Sequence, residues 1–184
     1  MLAVLLNATT TSTVNKPESV VGDNIIEVML QTLKTTPASG CIVEVGVYKG
    51  GTLWHLAQAA EGRPVYGYDT FGGMPFSHDG DSHKTGDFAD TSLDAVQAAV
   101  PEATLVQGTF PGSLIDMPPI AFAHVDCDQY QSVKDCINVL GPKMMVGGVM
   151  WFDDYNCLPS ANRAVDEAFS ADRLIISAKA FVRF

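Results

Sequence analysis

The chain has 184 residues, 47% of them hydrophobic and 17% charged, which is the length of one domain with its own core and excludes intrinsic disorder. Against 21 Asp and Glu stand 11 Lys and Arg, a formal charge of −10. That balance argues against nucleic acid and membrane as partners, because phosphate attracts Lys and Arg, and it suits a site that holds a divalent cation.

In chain order, residues 1–6 are apolar but lack a basic flank and run into a polar tract at 7–15. Residues 1–22 therefore read as a loose or partner-packed segment, not a signal peptide. No run reaches the roughly 18 apolar residues that span a bilayer. Asp23 is placed to cap a helix with Ile26, Met29, Leu30 and Leu33 at helical spacing, ended by Pro37, Ser39 and Gly40. Residues 41–47 read as a buried strand containing one acid, Glu44. Gly50 and Gly51 lead into a helix over 53–60, and a second strand over 65–68 ends at Asp69.

Residues 70–92 are rich in Gly, His and Asp without a period, and a loop of roughly 20 residues inside a compact domain is often a lid. A helix over 93–100 and a strand over 103–107, ending at Gly108, follow. A fourth strand over 120–125 ends in Asp126-Cys127-Asp128, and a helix covers 132–140. Gly147-Gly148 leads into a fifth strand over 149–152 that ends at Asp153-Asp154. A helix over 162–169 and one or two strands over 174–184 complete the chain. This alternation predicts a single α/β domain, with a mostly parallel, Rossmann-like sheet and helices on both faces. Four cysteines without a CxxC pair read as small core or loop residues of a reduced, cytoplasmic protein.

Open parallel sheets bind ligands beyond the carboxyl ends of their strands. Glu44, Asp69, Asp126, Asp128, Asp153 and Asp154 all fall in or just after strands, so the sequence marks that edge. The motif Glu44–Thr52, which carries the glycine turn after the first strand, is not GxGxxG, and the acid within it would repel a pyrophosphate. It favours a ligand with a positive charge nearby, such as the amine of S-adenosylmethionine. Asp69, 25 residues after Glu44, is placed to accept from ribose hydroxyls, which serves NAD and adenosine-type methyl donors alike. Tight structural turns are the plainer alternative at both places.

Two strand ends deliver Asp126, Asp128, Asp153 and Asp154 together, and such repulsion is costly unless a cation neutralises it. Oxygen ligands favour Mg²⁺, Mn²⁺ or Ca²⁺, with places left for water and two substrate oxygens. The structural alternative is helix capping by Asp128 and Asp154. In the loop, His78, Asp79, Asp81, His83, Lys84, Asp87 and Asp90 show no ligand spacing and read as a lid or solvated hinge. His55 and His124 read as packed residues.

The segments Val43-Glu44-Val45-Gly46-Val47-Tyr48-Lys49-Gly50-Gly51, Tyr68-Asp69-Thr70-Phe71-Gly72-Gly73-Met74-Pro75, His124-Val125-Asp126-Cys127-Asp128-Gln129-Tyr130-Gln131-Ser132 and Asp153-Asp154-Tyr155 resemble the macrocin O-methyltransferase (TylF-type) family. The resemblance implies a class I methyltransferase fold, S-adenosylmethionine as cofactor, a divalent metal such as Mg²⁺ or Mn²⁺, and methylation of a hydroxyl on a sugar or other polyhydroxylated small molecule. It implies that Asp126, Asp153 and Asp154 hold the metal and that Asp128 is the general base. Around the methyl donor it places Glu44, Gly46, Val47, Gly50, Gly51, Thr52, Asp69, Thr70, Gly108, Thr109 and Asp126. Family habit also implies a homo-oligomer. Members commonly carry a longer N-terminal region than the 40 residues before this first strand, so the expected acceptor is larger, more open to solvent or held by a partner subunit. Two other readings stay open: a nicotinamide-dependent oxidoreductase, and a non-catalytic module that binds an adenosyl ligand.

Overall fold

The computed structural model describes residues 16–176 and 179–184; the sequence expectations for residues 1–15 lie outside them. Seven strands form one sheet: β1 (Cys41–Val45), β2 (Val65–Asp69), β3 (Thr104–Gln107), β4 (Ile120–Val125), β5 (Met144–Phe152), β6 (Leu174–Ile176) and β7 (Ala180–Arg183). Their order is β3-β2-β1-β4-β5-β7-β6. The first five run parallel, and β7 enters antiparallel beside β5. The central strands β1 and β4 are buried along their whole length, as expected of a sheet covered on both faces.

Alternation along the strands divides the core in two. Ile42, Phe122, Val149 and Trp151 face helices α1 (Asp23–Leu33), α2 (Gly51–Gln58) and α3 (Leu93–Ala99), through Met29, Leu33, Leu53, Leu56 and Val96. Val43, Val45, Ala123, Val125, Met150 and Phe152 face α4 (Tyr130–Leu140) and α5 (Pro159–Ala168). Each large apolar side chain fully buried here stabilises the fold by about 1.5–3 kcal/mol. Those contacts anchor the strands, so the acids at their carboxyl ends are held close together.

Several element boundaries correct the sequence reading. Asp23 is the first residue of α1 and not its cap; Gly22 takes that place with no side-chain bond. Helix α2 begins at Gly51, because Gly50 supplies a left-handed N-cap, and α4 begins at Tyr130. Strand β5 starts five residues earlier than 149: Met144 pairs with Ile120, and a register shift before Phe122 absorbs Gly147 and Gly148 into the strand. Helix α5 begins at Pro159, where proline at the first turn loses no hydrogen bond. Residues 70–92 contain no helix or strand, as expected. Among the described residues no helix is long and apolar enough to cross a membrane.

Candidate active site

A cleft of about 990 Å³, open mouth included, lies over the carboxyl edge of the sheet. Its floor at β1 depends on backbone contact. Gly46 has φ +89°, and a Cβ there would stand 1.7 Å from the carbonyl oxygen of Asp126, so only glycine lets the β1 and β4 turns touch. Gly51 meets a strap from the other side: its Cβ would lie 2.4 Å from Ser19 Cα. Glu18, Ser19 and Val20 of that strap line the cleft.

Asp69 organises this half. Its Oδ2 accepts from the Val47 and Tyr48 amides, both at 2.8 Å, and its Oδ1 accepts from the Phe71 amide at 2.6 Å. The carboxylate thus holds two turns in place while still lining the cleft. Loop 70–92 is tied onto the same turn. Tyr48 Oη donates to Asp90 at 2.7 Å, Lys49 Nζ lies 2.9 Å from the other Asp90 oxygen, and the Tyr48 and Phe88 rings meet edge to face. On its far side, Asp81 accepts from the Tyr130 amide and Gln129 Nε2 donates to the Phe76 carbonyl. The loop's Asp81 and Asp87 are engaged with backbone amides, at His78 and Lys84.

The other half is a cluster of acids. Asp126, Asp153 and Asp154 offer oxygens within 4.8 Å of one another, from the ends of β4 and β5. Backbone bonds set their places: the Asp126 amide donates to the Val45 carbonyl and the Asp153 amide to the Val125 carbonyl. Asp128, in a left-handed conformation at φ 59°, donates its amide to Asp154 Oδ2 at 2.9 Å. His83 of the loop brings Nε2 to 3.7 Å from Asp128 Oδ1.

This crowding disturbs the carboxyls. Burial, then the Asp153 and Asp154 charges, hold Asp126 well above the usual range. Burial, then the Asp128 charge, raises Asp154 to about 7; burial, with a smaller push from Asp153, raises Asp128 to about 6. Asp153 moves the other way: burial opposes its charge, but His124 and Lys179 outweigh that. The donor set fits a divalent cation. All the ligands are carboxylate oxygens, their mutual repulsion is relieved by positive charge, and the buried Oδ1 of Asp153 has no hydrogen-bond partner.

Of the residues expected around a methyl donor, Gly46, Val47, Gly51, Thr52, Asp69, Thr70, Gly108, Thr109 and Asp126 line the cleft. Glu44 and Gly50 are not among the lining residues. Glu44 is 1% exposed and turned into the sheet, where its Oε1 meets His124 Nδ1 at 2.8 Å. Gly50 lies behind the turn against Val96. Asp128 lines the cleft, and Asp153 and Asp154 adjoin it behind Asp126. The sequence reading missed the strap at Glu18–Val20, the Lys49–Asp90 latch, His83 opposite Asp128, and Lys179 beside Asp153 at 3.5 Å. His124 is packed, as expected, but between two acids.

A mostly parallel sheet of this order with an antiparallel β7, and a cleft beyond β1 and β2, define the Rossmann-like fold of class I methyltransferases. The family model described as macrocin-O-methyltransferase (TylF) matches residues 19–178. The chain belongs to that family. It is 28% identical over 172 residues to demethyldecarbamoylnovobiocin O-methyltransferase of Streptomyces niveus, covering 82% of this chain and 61% of that protein. The chain thus spans about three fifths of the length of that curated relative. The solved structure of the O-methyltransferase NovP superposes with a TM-score of 0.77 at 25% identity, over 90% of this chain and 81% of that one. The calicheamicin methyltransferase CalS11 shares the fold, with a TM-score of 0.68 at 22% identity over 88% of this chain and 77% of that one.

Proposed function

We propose that this chain is an S-adenosylmethionine-dependent, divalent-metal-dependent O-methyltransferase that acts on a hydroxyl of a sugar or other polyhydroxylated small molecule. The observation that carries this reading is the joining of two unlike half-sites in one cleft: a glycine turn organised by Asp69, and three carboxylates within 4.8 Å. The relative from Streptomyces niveus, named demethyldecarbamoylnovobiocin O-methyltransferase, supports a natural-product acceptor. The free thiols of Cys41, Cys127, Cys136 and Cys157 support a reducing, cytoplasmic setting, and a homo-oligomer is part of the same proposal.

Methyl transfer is an in-line displacement that needs alignment of two atoms and removal of one proton. A bound methyl donor would supply the sulfonium methyl group, and a cation held by Asp126, Asp153 and Asp154 would lower the pKa of a hydroxyl beside it. The β1 turn and Gly108 shape the cradle for the donor. Asp128 is the general base: raised to about 6, its carboxylate is ionised at neutral pH yet basic enough to take the hydroxyl proton. Met74, Pro75 and Phe88 line the cleft with apolar surface, which favours a reaction in which the sulfonium loses its charge.

Transfer of label from S-adenosylmethionine to a panel of sugar and catechol-like acceptors, with Mg²⁺ and with EDTA, tests the reading. Metal-dependent methylation by the wild type that is lost in Asp153→Asn is the expected result. Activity unchanged by Asp153→Asn would sink the metal assignment.

A further inference from the structure

We propose that Glu44 and His124 form a buried brace that orients the Asp153 carboxylate toward the divalent cation; this rests on the metal reading above. The two residues are paired by the sheet itself. Glu44 and His124 are direct neighbours in the β1–β4 register, and His124 is the neighbour of Trp151 in β5. Asp153 lies two residues beyond Trp151, so strand alternation sets all three side chains on one face.

The geometry runs in one direction. Glu44 Oε1 and His124 Nδ1 meet at 2.8 Å, with both side chains at most 1% exposed. That bond fixes the ring and aims Nε2 at Asp153 Oδ1, 3.7 Å away. Neither of these two buried atoms has a hydrogen-bond partner. Lys179 Nζ stands 3.5 Å from the other oxygen of Asp153. The carboxylate is therefore held from behind by charge, while no hydrogen bond takes up the lone pairs it could offer beside Asp126 and Asp154.

Stability alone does not explain this arrangement. A buried, hydrogen-bonded ionisable pair often contributes no more than an apolar pair of similar size, and Glu44 Oε2 has no partner at all. A carboxylate–histidine pair standing behind a metal ligand has a familiar purpose: outer-shell partners fix the ligand's direction, and their loss typically costs about 10- to 100-fold in metal affinity. Glu44 is thus a positioning residue, which accounts for a buried acid within β1 that does not line the cleft.

The test is Mn²⁺ titration followed by electron paramagnetic resonance, on the wild type, Asp153→Asn, His124→Asn and Glu44→Gln. Asn at 124 keeps a donor near Glu44, as Nδ1 of the imidazole does, but removes the group facing Asp153. Melting in EDTA and S-adenosylhomocysteine affinity report whether each variant is folded with an intact donor half. The wild type should bind one Mn²⁺ and Asp153→Asn should lose it. His124→Asn and Glu44→Gln should bind about 10- to 100-fold more weakly, with an altered zero-field splitting and unchanged S-adenosylhomocysteine affinity. A folded His124→Asn with wild-type Mn²⁺ affinity and spectrum would overturn the brace alone. A wild type that takes up no Mn²⁺ would overturn the metal reading and the brace with it.

Discussion

The two halves of the cleft are built on opposite terms. The half at β1 and β2 is organised by hydrogen bonds and close contact: Asp69 is bonded to three amides, glycines permit close backbone contact, and the loop is latched through Asp90. The half at β4 and β5 concentrates acids: burial, then neighbouring carboxylate charge, raises Asp126, Asp128 and Asp154 above the usual carboxylate range, and Asp153 keeps an unpartnered buried oxygen. The first half recognises by shape and can stand empty. On the proposed reading, the second takes up a divalent cation that relieves the repulsion among its carboxylates.

The contrast predicts where damage falls. Asp153→Asn removes a ligand from the acidic half and should lower methyl transfer on the order of 10³-fold or more, about 4 kcal/mol of transition-state stabilisation, with donor affinity retained. Parallel loss of S-adenosylhomocysteine binding, read by calorimetry, would mean the halves are not separate. Asp128→Asn removes the base and should cost about 10²- to 10⁴-fold in kcat while Mn²⁺ still binds. Gly46→Ala strikes the shape-built half. Its Cβ cannot fit beside the Asp126 carbonyl, so a shift of the urea midpoint equivalent to about 3 kcal/mol is expected. Wild-type stability in Gly46→Ala would show that the two turns do not depend on contact.

The smallest effect is a pH dependence. Asp128 and Asp154 have folded pKa values of about 6 and about 7, above their ordinary range. Between the ordinary range and those values the metal-free fold binds protons that the unfolded chain has already released. This contribution to stability is full at acid pH and is lost as pH rises through about 6 to 7. In EDTA the Tm should fall by a few degrees between about pH 5 and about pH 8, and saturating Mg²⁺ should flatten that fall by taking the protons' place. A slope identical with and without Mg²⁺ would contradict the cation's place among these acids.

Much of this was legible in the chain, for physical reasons. The run Ile120–Val125 is apolar but for His124 because β4 is covered on both faces, and its bounds match the reading. The acids after β4 and β5 stand out because strand ends need no carboxylates for stability. The start of β5 was hidden, because Gly147 and Gly148 look like a turn but sit in a register shift against β4. The direction of the Glu44 side chain was not legible, because a motif position does not say which way a side chain points; only the register with His124 does. Lys179 carries no local signal, since it reaches Asp153 only through the antiparallel return of β7 beside β5.

The measurement that bears most directly on the account is calorimetric titration with S-adenosylhomocysteine after EDTA treatment, with and without Mg²⁺. The account predicts one site per chain with a Kd in the micromolar range, near −8 kcal/mol, under both conditions, since the donor half is complete without the cation. No binding under either condition would contradict it and turn attention to NAD(H) as the ligand of this cleft.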